Sequence, residues 1–142
     1  METEVRTADK TLSERLLLIY WVANITIALT WIYHGIVPKL LYMETGELPM
    51  VMESGMFGGN EAAVVYVVGV LEIIFGMLFL FLGRWKIMHW LNIGSLLALG
   101  IAACVIRNDI YTYPFNPATT AFGVMGLSVI VLAIREYLPR RI

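Results

Sequence analysis

One acid sits in the middle of a long apolar run: Glu72, with Gly69 at i−3 and Gly76 at i+4. An ionisable side chain at the centre of a membrane helix costs about 2.5–3.5 kcal/mol on insertion scales. A carboxyl group held there either goes neutral or recruits a cation. The basic residues that could reach it are Lys39 and Arg107, with the imidazole of His34 as a third nitrogen group. The expectation is a buried polar cluster of His34, Lys39, Glu72 and Arg107. In it Lys39 and Arg107 would bind anionic or carbonyl oxygens, while His34 and Glu72 would hydrogen-bond or exchange a proton. Small residues on either side of Glu72 let a neighbouring helix approach closely over it.

Other residue types carry less. Asn116 stands between Phe115 and Pro117, where an Asn caps a helix and a Pro fits its first position; a ligand contact from Asn116 is the alternative. Met43, Met50, Met52 and Met56 crowd one connection. Thioethers suit Cu(I), but that connection holds neither Cys nor His, and methionine equally makes an adaptable apolar surface. No metal site is expected. Cys104 is the only cysteine, which excludes an internal disulfide, a Cys-x-x-Cys pair and a thiolate zinc site.

These side chains have to be positioned by elements that live in lipid. The chain is 59% hydrophobic and 15% charged, with a mean hydropathy of +0.76, against about 45–50% and about 25% in soluble domains. A free-standing soluble enzyme is excluded. A net charge of −1 leaves no basic field for a nucleic acid. Four stretches reach the about 20 residues that a helix needs to cross a bilayer: residues 16–37, 62–82, 85–106 and 117–137. Backbone groups in lipid must pair within their own segment, so all four are expected to be helices.

The first stretch is too long, and lacks the small-residue site, for a cleaved signal. Thr11 and Glu14 form a capping-box pattern before it, and Pro38 is expected to end its helix after Val37. Arg6, Lys10, Arg15, Arg84, Lys86, Arg135, Arg140 and Arg141 fall at one set of span ends, leaving Lys39 and Arg107 at the other. By the positive-inside rule both termini face the cytoplasm. On the outer side a short loop carries Tyr111, Tyr113 and Phe115. A longer one holds Leu48 to Phe57, an amphipathic turn or two stopped by Gly58 and Gly59. The fold class is therefore all-α, an integral membrane four-helix bundle formed by a single domain over residues 1–142. The expected location is the cell membrane, multi-pass, of the bacterial inner-membrane type. Asn24, Ala28, Trp31 and Gly35 share a face of the first helix, and Asn92, Ser95 and Ala102 or Ala103 a face of the third.

The run from Trp31 through His34, Gly35, Pro38 and Lys39 to Leu41 resembles the DoxX-like family of small four-span membrane proteins. So do the segment from Gly69 through Glu72 to Gly76 and the run from Tyr113 through Asn116 to Pro117. The resemblance extends from about residue 16 to 137. It implies that His34, Lys39, Glu72, Asn116 and Pro117 carry the family's pattern, and that the protein is a partner in a membrane oxidoreductase system. The DoxD relatives resemble the small subunit of a thiosulfate:quinone oxidoreductase, and quinone is the cofactor so implied. A quinone reductase of the related four-helix type needs paired cysteines, which this chain lacks.

Two functions are thus expected. One is a module that binds a small amphipathic ligand, a quinone or lipid headgroup, in an outward-opening site formed by His34, Lys39, Glu72, Arg107 and Asn116. The other is a proton-coupled carrier or channel using Glu72 and His34. Expected partners are the bilayer and either a second copy of the chain, approached over Gly123 and Gly126, or a redox protein. A membrane redox enzyme is a third reading, without a catalytic motif of its own.

Overall fold

In the computed structural model the described residues are 2–114 and 116–138, with side chains described from Asp9 onward except at Asn108. Phe115, Arg140 and Arg141 and the side chain of Arg6 lie outside the described residues. The elements are α1 (Glu2–Ile36), a π-helical turn (Val37–Leu41), α2 (Leu48–Ser54), α3 (Glu61–Leu82) and α4 (Lys86–Ile106). A 3-10 turn (Asn108–Thr112), α5 (Pro117–Ile134) and a closing 3-10 turn (Arg135–Tyr137) complete the chain. Among the described residues there is no strand. Four segments are long and apolar enough to cross a membrane: Asp9–Leu41, Glu61–Leu82, Lys86–Ile106 and Pro117–Tyr137.

The largest correction is at the start. Helix α1 has 35 residues, about 52 Å at 1.5 Å per residue, and passes straight through Thr11 and Glu14. Between residues 2 and 15, good helix formers recur at Glu2, Glu4, Arg6, Ala8, Lys10, Leu12, Glu14 and Arg15, so the helix does not begin at the capping-box pattern. In the long connection α2 does form, but Gly55 ends it in the left-handed region at φ 63°, three residues before the expected stop. Glycine takes that conformation without the Cβ clash other residues suffer. Gly58 and Gly59 then turn the chain toward α3 with φ of 57° and 96°.

The bundle is organised around α1, which packs on α3 and α5, while α4 packs on α5. In α3 the buried residues Val65, Gly69, Glu72, Gly76 and Phe79 recur at alternating spacings of four and three, the seam of an antiparallel helix pair. Its partner seam on α1 includes Asn24, Ile27, Ala28 and Trp31. A Cβ on Gly35 would strike the Gly69 carbonyl, and one on Gly76 would come within 2.7 Å of the Ala28 carbonyl. Backbone meets backbone along this interface, the approach that small residues permit in membranes. At mid-bundle Trp31, Phe75, Phe79 and His89 stack edge-on in sequence, with centroids 5.0, 5.8 and 5.1 Å apart.

Candidate functional site

The stripe of small and polar residues on α1, Asn24, Ala28, Trp31 and Gly35, reaches Lys39 after one further step of four. A helix cannot simply continue there. Pro38 has no N–H for the His34 carbonyl, and its ring crowds that carbonyl in an α-turn. The chain widens instead into a π-turn closed by Tyr42 N–H donating to Val37 O at 2.9 Å, so Pro38 loosens the helix after Ile36 rather than ending it after Val37. Lys39 stays on the seam and is 2% exposed. Gly69 makes room for it: a Cβ there would lie 2.8 Å from the Lys39 Cβ.

Two carboxylates meet the buried ammonium. Lys39 Nζ donates to Glu47 Oε1 at 2.5 Å and lies 2.9 Å from Glu72 Oε2. Glu72 comes from the α3 seam and is 5% exposed. Its Oε2 is paired with Lys39 by charge, but off the direction a hydrogen bond requires, so no donor is aimed at it. Glu47 comes from the connection. Thr45 and Gly46 N–H donate to Tyr42 O at 3.2 and 2.7 Å, a turn that brings the Glu47 side chain, 32% exposed, back over Lys39. One cation thus stands between a buried helix acid and a partly solvated loop acid. Sequence reasoning paired Lys39 with Glu72 but had no signal for Glu47, because the turn that returns it depends on tertiary packing.

The other expected members stand elsewhere. His34 is half-buried on the flank of α1, its ring 6.1 Å from Tyr33. It lies within electrostatic reach of Lys39 and Glu47, and among the described residues no hydrogen bond joins it to Glu72. Arg107 does not join the cluster. It follows α4 in an extended conformation, φ −152°, and is 41% exposed, with Nε 3.1 Å from Asp109 Oδ1 and Nη1 3.8 Å from Glu53 Oε2. Asp109, hydrogen-bonded to it, and then Glu53 raise the guanidinium further above its ordinary pKa. A carboxylate two residues away is a nearer partner than an acid buried on another helix. Asn116 caps α5: its Oδ1 accepts from Ala118 and Thr119 N–H at 2.9 and 3.2 Å, and its Nδ2 donates to Tyr113 O at 2.8 Å.

A second polar group, not foreseen as a unit, ties the helices together beyond the aromatic stack. Trp31 Nε1 donates to Asn92 Oδ1 at 2.6 Å, and Asn92 Nδ2 donates to Ser128 Oγ at 2.9 Å. His89 bridges Ser128 Oγ, 3.2 Å from Nδ1, and the Gly83 carbonyl, 2.7 Å from Nε2. The carbonyl can only accept, so Nε2 carries the proton, and in the neutral ring Nδ1 accepts from the Ser128 hydroxyl. The chain of donors then runs in one direction from α1 through α4 and α5 to the end of α3. Asn24 lies at its edge, giving its amide N–H to Tyr20 O at 2.8 Å while its Oδ1 is buried without a donor. Asn24 and Asn92 were legible as small, polar helix faces. His89 and Ser128 carried no motif and gain their meaning only from each other.

No curated protein and no solved structure matches the chain. The pattern of the DoxX-like family does, over residues 28–129. That interval takes in the α3 side of the seam and its α1 side from Ala28 onward, Lys39 with its two carboxylates, the inner hydrogen-bonded chain and the Asn116 cap. Matching most of its length and carrying four helices apolar enough to cross a membrane, this chain belongs to the DoxX-like family.

Proposed function

We propose that this membrane protein binds a small amphipathic ligand, a quinone or lipid-like molecule, through Lys39 at the end of the bundle formed by residues 37–60. It would do so as an accessory subunit of a membrane oxidoreductase system. The observation that carries this reading is the buried ammonium of Lys39 shared by Glu72 on the helix seam and Glu47 on a partly solvated loop. Burying an ion pair in a bilayer protein is often no more stabilising than packing apolar side chains in its place. A polar device at the bundle's end therefore invites a functional account. Oxygen acceptors are the groups an ammonium recognises, and His34 flanks the approach. Arg107 and Asn116 are engaged by Asp109 and the α5 backbone, so the proposed site narrows to Lys39, Glu72 and His34. The distribution of basic residues at the span ends supports an orientation with this end outside the cytoplasm and both termini inside.

The carrier reading draws on the excess of acid over base, since a proton on Glu72 or Glu47 would balance the trio. Against it, the apolar rings of Phe75 and Phe79 follow Glu72 along α3 before the polar chain around His89 is reached, and a relay across the bundle would have to pass them. Native mass spectrometry of the detergent-purified protein tests the binding reading. A quinone or lipid adduct should accompany the wild type and be lost from Lys39→Met. Equal adducts on both, or none on either, would refute it.

A further inference from the structure

Resting on that binding reading, we propose that Glu47 is an internal stand-in for the ligand, and that the ligand carries a carboxylate: a long-chain acyl acid whose head replaces Glu47 on Lys39. Three features of the site lead there. Lys39 and Glu72 are both held on the tight α1–α3 seam, whereas Glu47 is held by a short turn and keeps a third of its side chain in solvent. Of the three charged groups, Glu47 alone can leave without opening the seam. Its departure returns a carboxylate to water, where its charge is best solvated.

The second feature is the strength of the bond to be replaced. Lys39 to Glu47 is a contact between two ions at 2.5 Å, and hydrogen bonds between ions are roughly twice as strong as neutral ones. A neutral carbonyl oxygen, such as a quinone's, exchanges a strong bond for a weak one. A carboxylate exchanges like for like and leaves the charge balance around Lys39 and Glu72 unchanged. The third feature is a surface for the tail. Leu41 and Tyr42, two and three residues after Lys39, and Met52 in α2 are exposed. Methionine is suited to irregular apolar contacts, so an acyl chain entering sideways from the bilayer would meet apolar side chains beside the polar head site.

The test uses the full chain in nanodiscs, with oleate and decylubiquinone as probes. Wild type should bind oleate, and Glu47→Ala should bind it about tenfold more tightly, because the competing charge-assisted bond is gone. Lys39→Met should lose oleate. Lys39→Arg, which keeps the charge, should retain measurable binding, and Lys39→Met combined with Glu72→Met, which removes the unpaired buried acid, should still lose oleate, so that the loss follows the ammonium and not the fold. Unchanged or weaker oleate binding in Glu47→Ala would overturn the stand-in role. Binding of decylubiquinone in preference to oleate would remove the carboxylate assignment and leave the broader binding reading intact. Failure of both probes with every variant would remove both.

Discussion

Removing the Lys39 ammonium alone leaves Glu72 charged on an apolar seam, and an uncompensated buried charge is costly. Lys39→Met should therefore destabilise the protein by about 3–5 kcal/mol. Lys39→Met combined with Glu72→Met should recover most of the loss, because the acid goes with its partner. A double-mutant cycle on thermal melting in detergent reads the coupling, and additive losses would show that the pair is not an energetic unit. The same logic separates the residues that the sequence grouped together. Arg107→Ala removes an exposed contact to Asp109 and Glu53 and should leave the melting temperature where it is. A buried acid in an apolar run is visible in any sequence, and so is the nearest lysine. Which of two basic residues answers it depends on how each helix ends. The π-turn kept Lys39 on the seam, while an extended residue turned Arg107 toward Asp109. Asn92 belongs at this scale too. Asn92→Leu leaves Trp31 Nε1 without its acceptor and takes from Ser128 Oγ one of its two partners, and should cost about 1–3 kcal/mol, with the Trp31 fluorescence moving as its environment changes.

At the scale of elements, the α1–α3 pair is the part of the fold most legible beforehand. Small residues recur along both helices, and their spacing is a property of the chain. What spacing does not show is which glycines face a backbone and which face lipid. Gly76 lies against the Ala28 carbonyl, so Gly76→Ala forces the helices apart and should destabilise by about 1–3 kcal/mol, the usual cost of overpacking. A methyl group added at Gly123 would meet nothing within 4 Å, and Gly123→Ala should be neutral or stabilising by up to about 1 kcal/mol through helix propensity. Melting of the two variants side by side checks the assignment, and equal losses would refute it. The boundaries were less legible, because the capping box at Thr11 was overridden by good helix formers on both of its sides. Gly58 and Gly59 are the more conspicuous pair, yet Gly55, nearer the last turn of α2, is the residue that ends it.

For the whole molecule, the shape and the charge pattern make separate statements that meet in one experiment. Tyr20 and Ala23 of α1 pack with Val131 at the far end of α5, and Lys86 at the start of α4 lies 4.0 Å from Glu136 after α5. Arg107 and Glu53 join the opposite end. The start of α1 and the end of α5 therefore lie at one end of the bundle, and Lys39 lies at the other. Which end meets the cytoplasm is a matter of charge rather than shape, because Lys and Arg near span ends resist translocation. With Cys104 replaced by Ala, a cysteine at exposed Glu44 should react in intact cells with a membrane-impermeant thiol reagent. One at exposed Asp9 should react only after the membrane is opened. The opposite pattern would invert the protein and carry the Lys39 site to the cytoplasmic face, where an acyl acid would reach it from the inner leaflet instead of the outer.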